Sequence, residues 1–240
     1  MHDKFPNRAE AGLLLADKLA RHAGLSDVLV LALPRGGVPV GFAVADRLRA
    51  PLDVLVVRKL GVPGHGERAL GALASGGLRL LNGGAGKPDD LSGRVINSII
   101  VREQHDLERS ERVFRLGHHA QPVRNRTVIL VDDGIATGAT MRVAITAVRG
   151  QHARKVIVAA PVAARTSYLE LRGIADEVVA LFMPKEVPAV GEFYVDYAAT
   201  SDREVAALLT RARQNRWRGG EDAFQISDLK FQNAGSVVRI

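Results

Sequence analysis

The chain of 240 residues contains no cysteine, which excludes disulfide bonds and thiolate metal sites. The first residues, from Met1 to Arg8, include no apolar segment of the kind found in signal peptides. Nowhere do eighteen apolar residues follow one another, so no stretch resembles a transmembrane helix. We therefore expect no secretion and no contact with a membrane, and we predict a cytoplasmic location.

Neither of two common nucleotide-binding motifs is present at the positions where this chain is richest in glycine. No Gly-Lys-Ser/Thr sequence stands at the spacing of a P-loop, and the Gly-x-Gly-x-x-Gly fingerprint of a dinucleotide site is missing. The net charge of +7 suits anionic substrates and would also suit nucleic acid. A compositional bias toward arginine produces the same excess, so the charge alone does not identify a partner.

Apolar runs alternate with helical patterns along the chain, which predicts a parallel sheet flanked by helices. Asn7 is the expected N-cap of the first helix, because Glu10 follows three residues later as in a capping box. Strands are predicted at 28–33, 52–57, 127–131 and 155–162, and helices at 7–19, 38–48, 141–148, 95–116 and 202–213. The charged stripe of the long helix 95–116 is expected to face solvent, and residues 82–93 are expected to form a loop.

The segment from Val128 to Thr140 carries the clearest signal for a ligand site. An apolar run ends at Val131, and two carboxylates, Asp132 and Asp133, follow it directly. Small residues then lead into a helical pattern, so backbone N–H groups and a helix N-terminus can converge on an anion. Because the acidic pair would repel a bare phosphate, the segment favours a phosphorylated sugar, whose hydroxyls or a bound metal would contact the carboxylates.

This segment resembles the phosphoribosyl-pyrophosphate (PRPP) motif of type I phosphoribosyltransferases. The resemblance implies the α/β fold of that family, a parallel sheet flanked by helices with a small hood. It implies that Asp132 and Asp133 bind the ribose hydroxyls. It assigns the 5-phosphate to the loop residues Gly134, Ala136, Thr137, Gly138, Ala139 and Thr140. It also implies Mg²⁺ bound through PRPP, a small-molecule acceptor and a homodimer.

A second loop follows the first predicted strand and precedes a helix. The resemblance implies that Arg35, Gly36 and Gly37 bind pyrophosphate there, often beside a cis peptide bond, since glycine lets the backbone approach oxygen closely. On its own, this Arg-Gly-Gly sequence is also typical of an ordinary turn.

Residues 57–77 are rich in glycine and are predicted to form a flexible loop. Their position resembles that of the family's catalytic loop, which implies closure over PRPP and exclusion of water. Lys59 is the preferred cation for the departing pyrophosphate, and Arg58 is the second. Glu67 is a candidate for proton transfer or magnesium contact, although it can equally be an exposed partner of a neighbouring arginine.

The hood is expected at 183–200, together with part of the N-terminus. Phe193 or Tyr194 could stack on an acceptor ring, and Asp196 could shape its pocket, although aromatic clusters also form cores. The phosphoribosyltransferase domain is predicted to span 1–218, with 219–240 as a tail or linker.

The resemblance implies transfer of the phosphoribosyl group from PRPP to a nitrogen heterocycle. The 6-oxopurine enzymes of the family carry an aspartate where this chain has Ala136, whereas adenine and uracil enzymes have alanine. The acceptor therefore stays open. Two alternatives also stay open: a PRPP-sensing regulatory or RNA-binding protein on the same fold, and a phosphoribosyl hydrolase or phosphatase.

Overall fold

The computed structural model describes residues 4–61, 69–81 and 93–215. The strands are β1 (Val28–Ala32), β2 (Leu52–Val54), β3 (Val57–Gly61), β4 (Ala69–Ala74), β5 (Leu78–Leu81), β6 (Thr127–Val131), β7 (Lys155–Val162) and β8 (Glu177–Phe182). The helices are α1 (Arg8–Lys18), α2 (Gly37–Leu48), α3 (Gly93–Arg115), α4 (Ala139–Gly150), α5 (Arg165–Arg172) and α6 (Asp202–Asn215).

The central sheet is parallel, as the alternating pattern predicted, and its strand order is β2-β1-β6-β7-β8. Successive side chains of a strand point to opposite faces. Ile129 and Val131 pack into a core with α1, α2 and α6, whereas Val128 and Leu130 pack into a second core with α4. All four side chains are fully buried, which explains why β6 is apolar from Val128 to Val131.

The first helix begins as the capping pattern predicted. The side chain of Asn7 accepts a hydrogen bond from the backbone N–H of Glu10 at 2.9 Å. The bond satisfies one of the free N–H groups at the helix start. The cap thus fixes where the N-terminal segment turns into α1.

The prediction of a flexible loop at 57–77 was wrong for the residues that the structure describes. β3 and β4 pair in antiparallel fashion, and β5 extends them into a three-stranded sheet. Leu60, Leu70 and Leu73 are buried in the same core as α3, so the burial of these apolar side chains outweighs the glycines of the segment. The strand predicted at 52–57 is accordingly divided between β2 and β3. Residues 62–68 and 82–92 lie outside the described part, and Glu67 is among them.

The charged stripe of α3 was expected to face solvent, but at the C-terminal end of the helix this prediction was wrong. Arg115 is only 6% exposed, and its Nε bonds to both carboxylate oxygens of Asp53, at 2.9 and 3.2 Å. A buried arginine needs such a partner, because an unpaired charge in the interior is costly. None of the helices in the described ranges is long and apolar enough to cross a membrane. The predicted tail at 219–240 lies outside those ranges.

Candidate functional site

The loop after β6 brings a helix N-terminus to the carboxyl edge of the sheet. α4 begins at Ala139, directly after Gly138, which has a left-handed backbone with a φ of 69°. As the N-cap residue, Gly138 has no side chain to bond the first N–H groups of the helix, and Thr137 and Thr140 are exposed beside it. The N–H of Ala139 has only a long bond of 3.4 Å to the hydroxyl of Thr137. Weakly bonded N–H groups and the helix dipole together favour an anion at this point.

The glycine loop between β1 and α2 lies against the acidic loop. A β-carbon on Gly37 would stand 2.7 Å from the carbonyl oxygen of Val131, and one on Gly36 would overlap with the carboxylate of Asp133. The contact follows from the strand order, because β1 and β6 are parallel neighbours and end at the same edge. The structure therefore brings the two predicted motifs together.

The two carboxylates of the acidic pair have different surroundings. Asp132 is partly exposed, and its Oδ1 accepts the backbone N–H of Asp133 at 2.9 Å. Asp133 is 7% exposed, and its Oδ2 accepts bonds from Arg8 Nε at 2.7 Å and from the hydroxyl of Tyr197 at 3.1 Å. Desolvation raises the pKa of Asp132 well above its ordinary value, and the charge of Asp133 raises it further.

Tyr194 supports the acidic loop from the hood side. It is 2% exposed, and its hydroxyl donates to the carbonyl oxygen of Asp133 at 2.6 Å. Its ring packs between those of Phe5 and Tyr197, with centroids at 5.6 and 5.3 Å. Burial raises the pKa of Tyr194, so the hydroxyl remains a donor. The prediction that Tyr194 could stack on an acceptor conflicts with this position, because the buried ring has no open face.

The other predicted hood residues are more accessible. Phe193 is partly exposed and lies 5.9 Å from the ring of Phe182, beside the small apolar cluster that contains Val187. Asp196 is exposed, and its Oδ1 accepts the backbone N–H of Ala198 at 3.0 Å. Of the two aromatic candidates, Phe193 is therefore the one with surface left for an acceptor.

Arg35 lies at the rim of the glycine loop. The peptide bond between Pro34 and Arg35 is cis, which is the feature that the resemblance implied. The guanidinium stands 3.7 Å from the carboxylate of Asp202, at the start of α6, and both side chains are more than half exposed. An exposed pair of this length is weak, so Arg35 is available to an anionic ligand.

Arg58 and Lys59 lie on β3 and point to opposite faces. Arg58 bonds to Glu103 and Asp106 of α3, each at 3.1 Å, so it is directed toward that helix. Lys59 is exposed. Of the two cations proposed for pyrophosphate, Lys59 is the one whose charge is not already directed to carboxylates of α3.

A cavity of about 430 Å³ adjoins the loop between β6 and α4. Ala136 and Thr137 line it on the loop side, and Val187 and Pro188 line it on the hood side. The charged residues of the lining are Arg142, Glu170, Lys185 and Glu186. The lining thus combines a few apolar side chains with a larger number of polar and charged groups, a mixture that suits a polar small molecule.

Two residues of this site, Arg8 and Tyr197, had no role assigned from the sequence. Arg8 occupies the first turn of α1, where a cation opposes the helix dipole. That unfavourable placement is the one signal in the sequence that Arg8 serves a tertiary contact.

Comparison with known proteins gives consistent results. A sequence model of the phosphoribosyl transferase domain matches residues 4–196. A Mycobacterium tuberculosis protein with a provisional phosphoribosyl transferase name is 44% identical over 211 residues, which cover 88% of this chain and 47% of that protein. The chain thus spans about half the length of the curated relatives it matches. The crystal structure of a Thermus thermophilus protein is similar with a TM-score of 0.75 and 40% identity, over 87% of this chain and 98% of that one.

Proposed function

The chain belongs to the phosphoribosyl transferase domain family, and from this premise we propose that it transfers the 5-phosphoribosyl group of PRPP to a small acceptor. The observation that carries the proposal is the meeting of two loops at the ends of β1 and β6. One loop offers a carboxylate pair and a helix N-terminus, and the other offers glycines and Arg35. Open parallel sheets bind ligands at this edge.

In this proposal the ribose phosphate part of PRPP lies on the loop after β6. The N-terminus of α4, at Ala139 and Thr140, receives the 5-phosphate, with Gly134, Ala136, Thr137 and Gly138 completing the loop. The acidic pair receives the ribose hydroxyls. Hydroxyl groups can donate to carboxylates, which explains why negative charge stands beside a phosphate site.

The pyrophosphate lies on Gly36, Gly37 and Arg35. When the acceptor nitrogen bonds to C1 of the ribose, the bond from C1 to the pyrophosphate oxygen breaks, and the electron pair leaves with pyrophosphate. The proton of the acceptor N–H is released to solvent. Arg35 and Lys59 stabilise the charge that develops on this leaving group. Arg58 supports Lys59 by tying β3 to α3 and is not itself a ligand in this proposal.

The residues at this edge fit Mg²⁺ that arrives with PRPP. The described part of the chain has no cluster of three or more histidine or carboxylate residues that could hold a metal alone. Mg²⁺ usually keeps several waters and binds through one or two carboxylates plus substrate phosphates. Asp132, as the more open carboxylate of the pair, suits that arrangement, in which the ion would neutralise phosphate charge.

The cavity beside Ala136 is the proposed place of the acceptor. Ala136 packs against an apolar cluster that includes Val162 and Val187, so position 136 itself offers no carboxylate to act as a base. The carboxylates of the cavity lining are those of Glu170 and Glu186. An adenine-like or uracil-like acceptor fits this wall better than a 6-oxopurine, whose enzymes in the family place an aspartate here.

The proposal is tested by measuring pyrophosphate release from PRPP over a panel of adenine, uracil, hypoxanthine and guanine, with and without magnesium. We expect release that requires both magnesium and an acceptor, with adenine or uracil above hypoxanthine or guanine. No release across a broad panel, together with salt-sensitive RNA binding that PRPP modulates, would favour a regulatory protein and reject the transferase.

A further inference from the structure

Arg8 joins three parts of the chain that are distant in sequence. Its Nε donates to Asp133 Oδ2 at 2.7 Å, and its Nη1 donates to the carbonyl oxygen of Ala198 at 2.8 Å. Its guanidinium lies over the ring of Tyr197, 3.8 Å from the centroid. Stacking and two hydrogen bonds hold the planar group in one orientation.

These contacts occupy one side of the Asp133 carboxylate. Oδ2 accepts from both Arg8 and Tyr197, and Gly36 packs against the same oxygen. The carboxylate of Asp132, by contrast, accepts the backbone N–H of Asp133 on Oδ1 and is partly exposed. The two members of the acidic pair are therefore not equivalent for a ligand.

The charge of Arg8 also changes what the loop offers to an anionic ligand. Burial lowers the pKa of Arg8, the bond to Asp133 raises it, and the net shift is upward, so the guanidinium stays protonated. It is 9% exposed and lies in the first turn of α1, against the helix dipole. The contact with Asp133 offsets both costs. One of the two carboxylate charges is thus balanced from within the protein.

We propose that Arg8 is a positioning residue of the ribose site, which neutralises Asp133 and fixes it so that Asp132 is the carboxylate that meets the ribose hydroxyls. The inference rests on the proposed function, since it assumes a phosphorylated ribose at this loop. It assigns unequal roles to two adjacent aspartates, and it makes the N-terminal segment part of the site.

The test is a calorimetric double-mutant cycle with ribose 5-phosphate as the probe. Arg8→Ala should weaken its binding by about tenfold or more, as expected for a lost charged hydrogen bond. In an Asp133→Asn background the same substitution should have little further effect, because Arg8 acts through Asp133. Arg8→Lys should restore part of the affinity by keeping the charge, and binding of magnesium pyrophosphate should not change.

Two further variants complete the experiment. Tyr197→Phe removes only the hydroxyl that donates to Asp133, and it replaces Arg8→Ala in the cycle if that variant does not fold. Arg47→Ala is the matched control, because Arg47 forms an exposed pair with Asp17 at 3.7 Å between α1 and α2. It should bind ribose 5-phosphate like the wild type.

Three results would overturn the inference. A folded Arg8→Ala protein with wild-type affinity would make Arg8 purely structural. If Arg8→Ala lowers the affinity for ribose 5-phosphate equally in the wild-type and Asp133→Asn backgrounds, Arg8 contacts the ligand directly. A wild-type protein that binds neither ribose 5-phosphate nor PRPP would reject the proposed function and this inference together, whereas the first two results leave the proposed function intact.

Discussion

Gly36 lies so close to Asp133 that a β-carbon in place of its hydrogen would overlap with the carboxylate. The two residues belong to loops that follow different strands, β1 and β6. The contact makes the proposed pyrophosphate loop one wall of the proposed ribose site. Added bulk at Gly36 should therefore displace the carboxylate of Asp133.

Gly36→Ala tests this contact without backbone strain, because Gly36 has a φ of −59° that alanine adopts freely. Overpacking of this kind costs about 1–3 kcal/mol. We expect PRPP affinity to fall by about tenfold, which corresponds to about 1.4 kcal/mol. Gly150→Ala is the control, since a β-carbon there meets nothing within 4 Å. If calorimetry gives both variants the same affinity for PRPP, the glycine loop accommodates the added methyl group without any effect on the ligand.

Lys59→Ala and Arg58→Ala form a second pair, on neighbouring positions of one strand. If Lys59 stabilises the departing pyrophosphate, its loss should lower turnover much more than ground-state binding of PRPP. Arg58→Ala should mainly lower stability, because it removes the ion pairs to α3. Comparison of kcat, PRPP affinity and urea unfolding separates the two roles. Equal losses of kcat and affinity in Lys59→Ala would make it a binding residue only.

The raised pKa of Asp132 predicts a cost in stability at neutral pH. Above the unfolded pKa of about 3.9, the folded protein still holds a proton that the unfolded chain has released, so stability falls as pH rises toward the folded pKa. Asp132→Asn keeps an acceptor oxygen for the N–H of Asp133 and removes the charge. It should be more stable than the wild type at neutral pH, with the difference disappearing in acid.

Asp27 is a control because its pKa is shifted in the opposite direction. Its hydrogen bond with Thr127 lowers its pKa, so it contributes stability above the unfolded pKa that is lost as pH falls through the folded one. Asp27→Asn should therefore lower stability at neutral pH. Urea unfolding of both variants from neutral to acidic pH measures whether each substitution raises or lowers the free energy of unfolding. An Asp132→Asn protein that is less stable than the wild type at neutral pH would contradict the account.

The buried pair of Asp53 and Arg115 should matter far more for stability than exposed pairs do. Arg115→Ala leaves the carboxylate of Asp53, which is 1% exposed, without its main partner. Such a loss typically costs about 3–5 kcal/mol. Removal of Arg47, whose pair with Asp17 is exposed, should cost about 1 kcal/mol or less. Similar midpoints of urea unfolding for the two variants would be evidence against the burial argument.

The sequence predicted the parts of this fold that depend on local pattern. β6 is apolar from Val128 to Val131 because both faces are covered, and Asn7 caps α1 because its side chain accepts the backbone N–H of Glu10. The meeting of the two motifs agrees with the predicted parallel sheet, because each motif follows the carboxyl end of a strand and these ends share one edge. The strands β3 and β4 were missed because the prediction gave more weight to the glycines from Gly61 onward than to the apolar Leu60, Leu70 and Leu73.

The contacts that distinguish Asp132 from Asp133 could not be predicted in the same way. Arg8 contacts Asp133 from α1, and Tyr197 contacts it from the segment predicted as the hood. Neither contact depends on a local repeat or a turn, so no periodicity in the sequence reports it. The partners of Arg58 on α3 were missed for the same reason.

The central claim is tested most directly by calorimetric titration with magnesium PRPP. The titration compares the wild type with a variant that carries both Asp132→Asn and Asp133→Asn. Each lost charged acceptor costs about 1.5–3 kcal/mol, so the variant should bind PRPP at least about tenfold more weakly while its fold remains intact. A folded double variant with unchanged affinity, or a wild-type protein that does not bind PRPP, would contradict the assignment of this loop as the phosphoribosyl site.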